Sequence, residues 1–464
     1  MKSGGVLGWT LGKHRPVSTA RRTIMSKRVY KTIFWSILFS LLAICWISSS
    51  GNLGFNYQYY VGSWSPLKQS EYQERGSNNY RMDDPSRCPM LRHNIFQSAN
   101  PFQLHRQAIL VHKCKTNRLS KSASNGSSFT QKLNNNIALY DPMGFLYCRI
   151  QKVGSTFLQK TIRNVFADLK FTAPRGNAML ANRSKDFIDC LSKTSKFMFV
   201  REPYGRALSG YVDKLFAPNP FYWSSAGRFI IKTIRGLKAS PLSLKCGHDV
   251  TFPEFMKYVI QAQKTLTHRD RHFYPMYEHC FPCDIKYDFI GKMETFRDDV
   301  SHILDVFNST FSRGMTFENF EKESDLQIAS SHINRLFSFK GQTLQCEPFH
   351  RSFQRVWRDL QIRGVLPIDT KMPFILEKMN TINQTHVTDV VTRIIQNVQN
   401  RTKLKEQRLE AKIEAFSQLS ADIIKEYREL YRLDFELFDY PTLPDFVKIA
   451  ISTPPKHLKY FDIF

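Results

Sequence analysis

An α/β domain built on a parallel sheet flanked by helices is the fold class the sequence predicts, preceded by one N-terminal transmembrane helix and a stem. Three observations predict it. From about Ile137 the short apolar runs "GFLYCRI", "KFMFV" and "YDFIGKME" each lead into a stretch with helical spacing. Repeated strand-then-helix units call for a parallel sheet covered on both faces. "TIFWSILFSLLAICWISSS", Thr32 to Ser50, covers 19 positions without a charge, just long enough where about 20 residues cross a bilayer core. Between these regions, Gly51 to about Asn136 is polar and lacks periodicity, as in a stem.

The elements follow in order. Residues 1–31 form a basic tail with eight Lys or Arg and no acid. All of that charge precedes Thr32, so the positive-inside rule puts the tail in the cytosol and the remainder in a lumen. A buried helix or a cleaved signal peptide is the competing interpretation of 32–50. A basic region of 31 residues favours an uncleaved, single-pass type II anchor. Sequons at Asn125, Asn182, Asn308, Asn383 and Asn400 suit a lumenal body. So do eight cysteines outside the span, an even number that favours disulfides in an oxidising compartment. "SKSASNGSS" is the most linker-like part of the stem, 51–136, while Cys88 and Cys114 are placed to tie some of it to the folded body. The catalytic domain is expected over 137–464.

Within that domain, Leu158, Ile162, Val165 and Phe166 predict a helix to about Leu169. Lys196–Val200 reads as the second strand, and a helix follows from Tyr204 to Phe216, with Leu208, Tyr211, Val212 and Leu215 on one face. "YDFIGKME" is a third strand and "TFRDDVSHILDVF" its helix. Leu409, Ile413, Phe416, Ile423, Tyr427 and Leu430 predict one long amphipathic helix that serves packing.

Hydrophobic residues make up 42% of the 464, enough for a sizeable core, which excludes wholesale disorder. Of the net charge of +26, the tail accounts for eight, leaving +18 on the rest. That excess points to a polyanionic partner. In a lumen, nucleic acid is not expected and an acidic glycan is.

Two turns carry chemistry. "QKVGSTF" lies between the first strand and its helix. A glycine there lets backbone N–H groups and the helix N-terminus surround a phosphate, with Lys152 adding a cation and Ser155 and Thr156 hydroxyl donors. The nucleotide-triphosphatase pattern is absent, since the lysine precedes the glycine. "REPYGRALSGY" follows the next strand about 50 residues later. Arg201 at the strand end, Pro203 in the turn and Ser209 one helical turn in are suited to a second phosphate. An ordinary strand-to-helix connection is the plain alternative for each turn alone.

Together the two turns resemble the donor site of sulfotransferases that use 3′-phosphoadenosine 5′-phosphosulfate (PAPS). "HFYPMYEHCFPCDIKYDFIGKMETFRDDV" and "LYRLDFELFDY" are similar to the Golgi carbohydrate sulfotransferases, the branch containing the chondroitin and dermatan 4-O-sulfotransferases. The resemblance runs in patches from about Phe145 to Tyr440. It implies a P-loop-like parallel sheet, the PAPS-dependent sulfotransferase fold, on a Golgi membrane protein. It also implies that Gln151, Lys152, Val153, Gly154, Ser155, Thr156 and Phe157 form the 5′-phosphosulfate loop. Arg201, Glu202, Pro203, Tyr204, Gly205, Arg206, Ala207, Leu208 and Ser209 would form the 3′-phosphate site, with Arg201 and Ser209 as principal contacts. The chain departs from the pattern at Gln151, Ser155, Phe157, Leu158, Glu202 and Phe273.

The implied activity is sulfuryl transfer from PAPS to a glycan hydroxyl, most directly a galactosamine 4-hydroxyl in chondroitin or dermatan. Glucuronate or another uronic acid, and terminal N-acetylgalactosamine, are alternative acceptors. A silent anchored glycan-binding protein and a secreted binding protein are rivals from other classes. Lys152 is the expected stabiliser of the leaving group, and no metal is expected because the cations are supplied by the chain. His272 is the candidate base, equally readable as a structural histidine, with Glu278, His268 and His279 as its competitors. Cys280 and Cys283 form a C-x-x-C, more consistent with structural disulfides than with zinc. Phe221 to Lys245 mixes aromatics with Arg228, Lys232, Arg235, Lys238 and Lys245, suited to sugar rings and their acidic groups, or simply to a solvated basic helix. Oligomeric state is not legible.

Overall fold

The computed structural model describes residues 94–96, 100–119, 136–140, 143–168, 194–374, 381–453 and 457–462. All lie in one compact unit, Met82–Phe464. The basic tail, the span at 32–50 and the linker at 120–128 lie outside the described residues. No described helix is long and apolar enough to cross a membrane.

A four-stranded sheet forms the centre, in the order β1 (Ile137–Tyr140), β2 (Phe145–Cys148), β3 (Ser195–Val200) and β4 (Phe289–Lys292). The three predicted strands are parallel to one another, pairing Cys148 with Met198 and Val200 with Lys292. The expectation of a purely parallel sheet is corrected, because β1 pairs antiparallel to β2 as a hairpin at the edge. β2 and β3 are buried throughout, as strands covered on both faces must be, which is why their sequences are unbroken apolar runs. Tyr147, Phe197 and Phe289 occupy paired positions across three strands, and the Tyr147 and Phe197 rings stack at 4.8 Å. Gly291 sits beside Phe199; a Cβ there would be 2.3 Å from that ring.

Helix α1 (Pro101–Thr116) falls inside the expected stem but is docked on the domain. It opens on Asn100, whose side chain accepts from Phe102 N. Its polar face finishes the outer edge of β4: Ile290 N donates to Gln103 Oε1 at 3.0 Å, and Arg106 Nη1 donates to Ile290 O at 2.7 Å. An open strand edge is thereby closed. Cys114 pairs with Cys283, Cys148 with Cys280, and Cys246 with Cys346. The two C-x-x-C cysteines are therefore spent in separate disulfides. Cys88 and Cys190 lie outside the described residues.

Helix α2 (Ser155–Val165) follows β2 and buries Leu158, Ile162 and Val165, ending a turn earlier than expected. α3 (Pro203–Tyr211) follows β3 and widens into a π-helical turn at Val212–Phe216. α4 (Phe252–Thr265) was not foreseen in the sequence, whereas α5 (Phe296–Phe311) is the helix expected after the third strand. A helical module then follows: α6 (Phe320–Ser338), α7 (Phe349–Ile362) and α8 (Gln384–Gln396) share a core of their own around Ile333, Phe353, Leu360 and Val387.

The single long helix expected from Leu409 to Leu430 is instead two, α9 (Arg401–Ser417) and α10 (Ala421–Leu430). Ser420 caps the second by accepting from Ile423 N, and Leu409, expected on the apolar face, is exposed. A serine placed at a helix start competes with continuation of the preceding helix.

Candidate active site

The parallel register puts the C-terminal ends of β2, β3 and β4 side by side, where ligands collect in open α/β sheets. The loop after β2 has two consecutive constraints. Lys152 has φ +70° and Gly154, at the N-cap of α2, has φ +77°. A Cβ on Gly154 would come within 2.6 Å of the Phe296 ring, so glycine is required sterically as well as conformationally. A lysine in the left-handed region is held there by its surroundings, a pattern concentrated at functional sites. Here the surroundings are two arginines from the next strand and helix. Arg201 Nη1 donates to Lys152 O at 3.2 Å, and Arg206 Nε donates to Gln151 O at 3.0 Å.

Arg206 is buried and also donates to Tyr274 O at 2.7 Å, so it clamps the turn to the segment carrying His272. The Gln151 amide oxygen, turned toward Arg271, accepts from its Nη2 at 2.8 Å. Val153 and Phe157 are buried, the latter against Phe296 and Phe320. Ser155 is half-buried and Thr156 exposed.

Lys152 Nζ lies 2.7 Å from Asp213 Oδ2. Asp213 sits in the π-helical turn, an irregularity frequent at functional sites, and also meets Arg335 Nη1 at 2.7 Å and Lys214 Nζ at 3.2 Å. Burial pushes the Lys152 ammonium down to about 7 against the opposing pull of Asp213. Burial also works to raise Asp213, but Lys152, Arg335, Lys214 and His332 outweigh it and hold the carboxylate well below its ordinary range.

At the second turn, burial lowers Arg201 to about 10, with Glu294 opposing. Glu202 is a capping residue: its two carboxylate oxygens accept from Tyr204 N at 2.8 Å and Gly205 N at 2.7 Å. Tyr204, Ala207 and Leu208 turn their side chains into the core, and Tyr204 Oη donates to Thr442 O. Pro203 is the first residue of α3. Ser209 is half-buried. A Cβ on Gly205 would be 3.5 Å from Arg201 Nε and 3.6 Å from Lys412 Nζ, which places a lysine of α9 beside this turn. Nothing in the local sequence signals Lys412, because about 210 residues separate the two.

His272 is oriented. Its Nδ1 lies 2.7 Å from Asp270 Oδ1 and its backbone N donates to the same oxygen. Tyr222 Oη is 2.8 Å from Nδ1 and donates to Asp270 Oδ2 at 3.2 Å. With Nδ1–H donating to Asp270, Nε2 carries the lone pair and has no hydrogen-bond partner among the described residues. Burial lowers the imidazole below its usual value, Asp270 opposing, with Lys214 and Lys152 near enough to add to the lowering. The competitors are otherwise engaged. Glu278 accepts from Arg269 at 2.7 Å. His268 is exposed with its ring stacked on Phe229. His279 is fully buried against Arg206, and burial holds it well below its ordinary value. The Asp-x-His spacing was a readable signal for the Asp270 partnership that the sequence analysis missed.

The Phe221–Lys245 segment divides. Trp223 is buried, with Nε1 donating to Leu215 O, and Arg235 is clamped by Asp249 and Glu254. Phe221, Arg228, Lys232, Lys238 and Lys245 are exposed.

Residues 136–338, which include both turns and His272, match the model of the Sulfotransferase family. Over that span the chain is similar to the sulfotransferase family. It is 28% identical over 254 residues to carbohydrate sulfotransferase 8 of Homo sapiens, covering 52% of this chain and 59% of that protein. It is 33% identical over 178 residues to carbohydrate sulfotransferase 14 of Mus musculus, covering 36% and 46%. To carbohydrate sulfotransferase 11 of Mus musculus it is 25% identical over 232 residues, covering 45% and 65%. The chain thus spans about half to two thirds of the length of these curated relatives. No solved structure matches it significantly. The sulfotransferase match ends with the last residue of α6, so Lys412 lies beyond it.

Proposed function

We propose that the chain transfers a sulfuryl group from PAPS to a hydroxyl of a glycan, in the Golgi lumen behind a single-pass type II anchor at 32–50. The observation that carries this is the meeting of the Lys152 turn and Arg201 at the ends of two adjacent parallel strands, linked by the bond from Arg201 to Lys152 O. Both cations are lowered by burial, so both gain from an anionic ligand, and their separation onto two turns suits one with phosphates at both ends. Lys152 and the N–H groups opening α2 would hold the 5′ side, while Arg201, Ser209 and the neighbouring Lys412 would hold the 3′-phosphate. Glu202 and Arg206 would act indirectly, as cap and clamp.

When bound, PAPS supplies the sulfuryl group and a phosphate leaving group. His272 Nε2 accepts the proton of the acceptor hydroxyl as that oxygen bonds sulfur. The bond from sulfur to the phosphate oxygen breaks, and Lys152 Nζ stabilises the charge left on it. Adenosine 3′,5′-bisphosphate leaves. Asp270 fixes the tautomer, and Asp213 keeps the Lys152 ammonium aimed. The chain's own cations do the charge stabilisation, so no metal is invoked.

Exposed Arg228, Lys232, Lys238 and Lys245 support an acidic chain as acceptor. A galactosamine 4-hydroxyl in chondroitin or dermatan is the acceptor to test first, with uronic acids and terminal N-acetylgalactosamine beside it. The test is transfer from radiolabelled PAPS to a panel of desulfated glycans, with disaccharide analysis. Label in a galactosamine 4-sulfate is the expected product; label in a different sugar position would reassign the acceptor, and no label in any glycan would reject the activity.

A further inference from the structure

We infer that Arg363, carried by the helical module beyond the matched segment, is a further donor-binding residue whose guanidinium takes an oxygen of the group at the 5′ end. This rests on the donor site proposed above. Arg363 caps the C-terminus of α7, and its backbone is fixed by the next residue. Gly364 has φ +65°, and a Cβ there would be 2.4 Å from Leu404 O of α9. The side chain joins the Lys152 turn through a continuous series of polar contacts. Arg363 Nε meets Asp359 Oδ1 at 2.7 Å, and Asp359, fully buried, is paired with His332 Nδ1. His332 Nε2 is 3.9 Å from Asp213 Oδ1, and Asp213 Oδ2 holds Lys152.

Two features mark Arg363 as more than a link in that series. It uses one edge of its fork, Nε, on Asp359, while Nη2 is buried with no hydrogen-bond partner among the described residues. A buried donor without a partner carries a desolvation cost that a ligand oxygen removes. The local charge is also unbalanced: Asp213 and Asp359 face Lys152, Lys214, Arg335 and Arg363, with His332 between the two acids. Such a cluster is completed by an anion. Arg363 is among the charges that depress Lys152 and Arg201, which fits a place between the two donor turns. The contacts that lead away from it, through Asp359, His332 and Asp213, end on Lys152 and not on Arg201, which assigns it to the 5′ end.

The experiment measures binding of adenosine 3′,5′-bisphosphate, adenosine 5′-monophosphate and adenosine 3′-monophosphate to the full-length chain and its Arg363→Gln and Arg363→Lys variants, with thermal melting beside it. Loss of a hydrogen bond to a charged group predicts that Arg363→Gln binds the bisphosphate and the 5′-monophosphate about tenfold or more weakly. The 3′-monophosphate should bind as before. Arg363→Lys keeps the charge near Asp359 but not the fork, so it should show the same selective loss, reduced in size. It is the deciding variant if Arg363→Gln does not fold. Equal binding of the 5′ ligands by wild type and the folded variants would overturn the assignment while leaving the donor site standing. Equal weakening of all three ligands would also overturn it, by making Arg363 structural. Failure of the wild type to bind the bisphosphate would overturn the donor site itself, and this assignment with it.

Discussion

Lys152 combines a left-handed backbone, a buried ammonium and a carboxylate partner, and each has a measurable consequence. With the ammonium lowered to about 7 in the free protein, an incoming phosphate favours the protonated form and raises that value. Bisphosphate affinity should therefore be greatest below pH 7 and fall as pH rises above it. Calorimetry at pH 7.5 in buffers of different ionisation enthalpy should show proton uptake on binding; uptake of no proton would mean that Lys152 is already fully charged. His272 offers a second test. With Nε2 as base, His272→Ala should still bind PAPS and acceptor while losing about 10²-fold or more in rate. The rate of the intact protein should fall as pH drops through a value below the ordinary histidine range, because burial favours the neutral ring. Parallel loss of stability and of both substrates' binding in His272→Ala would instead make the residue structural.

At the scale of elements, the site is held by pieces remote in sequence. The two turns were legible because each is local: a strand, a short loop with Gly154 or Pro203, and a helix whose apolar spacing can be counted. Asp213 was not, since it depends on a π-helical turn that no residue pattern announces. Arg335 lies 122 residues from its partner Asp213, and Lys412, beside the second turn, comes from α9, after the helical module. β1 was missed because four residues beside a stronger strand give little periodicity. α1 was hidden by the polar face with which it closes the β4 edge. That edge gives a prediction about stability. Arg106 pairs with Asp299 at 2.9 Å, both largely buried, so Arg106→Ala should lower unfolding stability by about 3 kcal/mol. A shift in denaturant midpoint, with bisphosphate affinity intact in the folded protein, is the expected result.

For the whole molecule, charge is the property that composition announced. The net +26 includes the tail, outside the described residues, but the site gathers cations in excess of acids and the exposed surface adds Arg228, Lys232, Lys238 and Lys245. Acceptor binding should weaken as salt rises, and neutral sugars should bind poorly. Salt-independent binding would point away from an acidic chain. The likeness to the sulfotransferase family over 136–338 covers the sheet and its turns, while Lys412, beside the second turn, lies beyond it. The central claim is that the Lys152 ammonium stabilises a leaving phosphate during sulfuryl transfer. Turnover of Lys152→Ala with saturating radiolabelled PAPS and an accepted glycan, set beside its affinity for PAPS, tests this most directly. Loss of an electrostatic stabiliser predicts a drop of about 10²–10³ in turnover, with a much smaller change in affinity. Turnover near that of the wild type at saturation would contradict it.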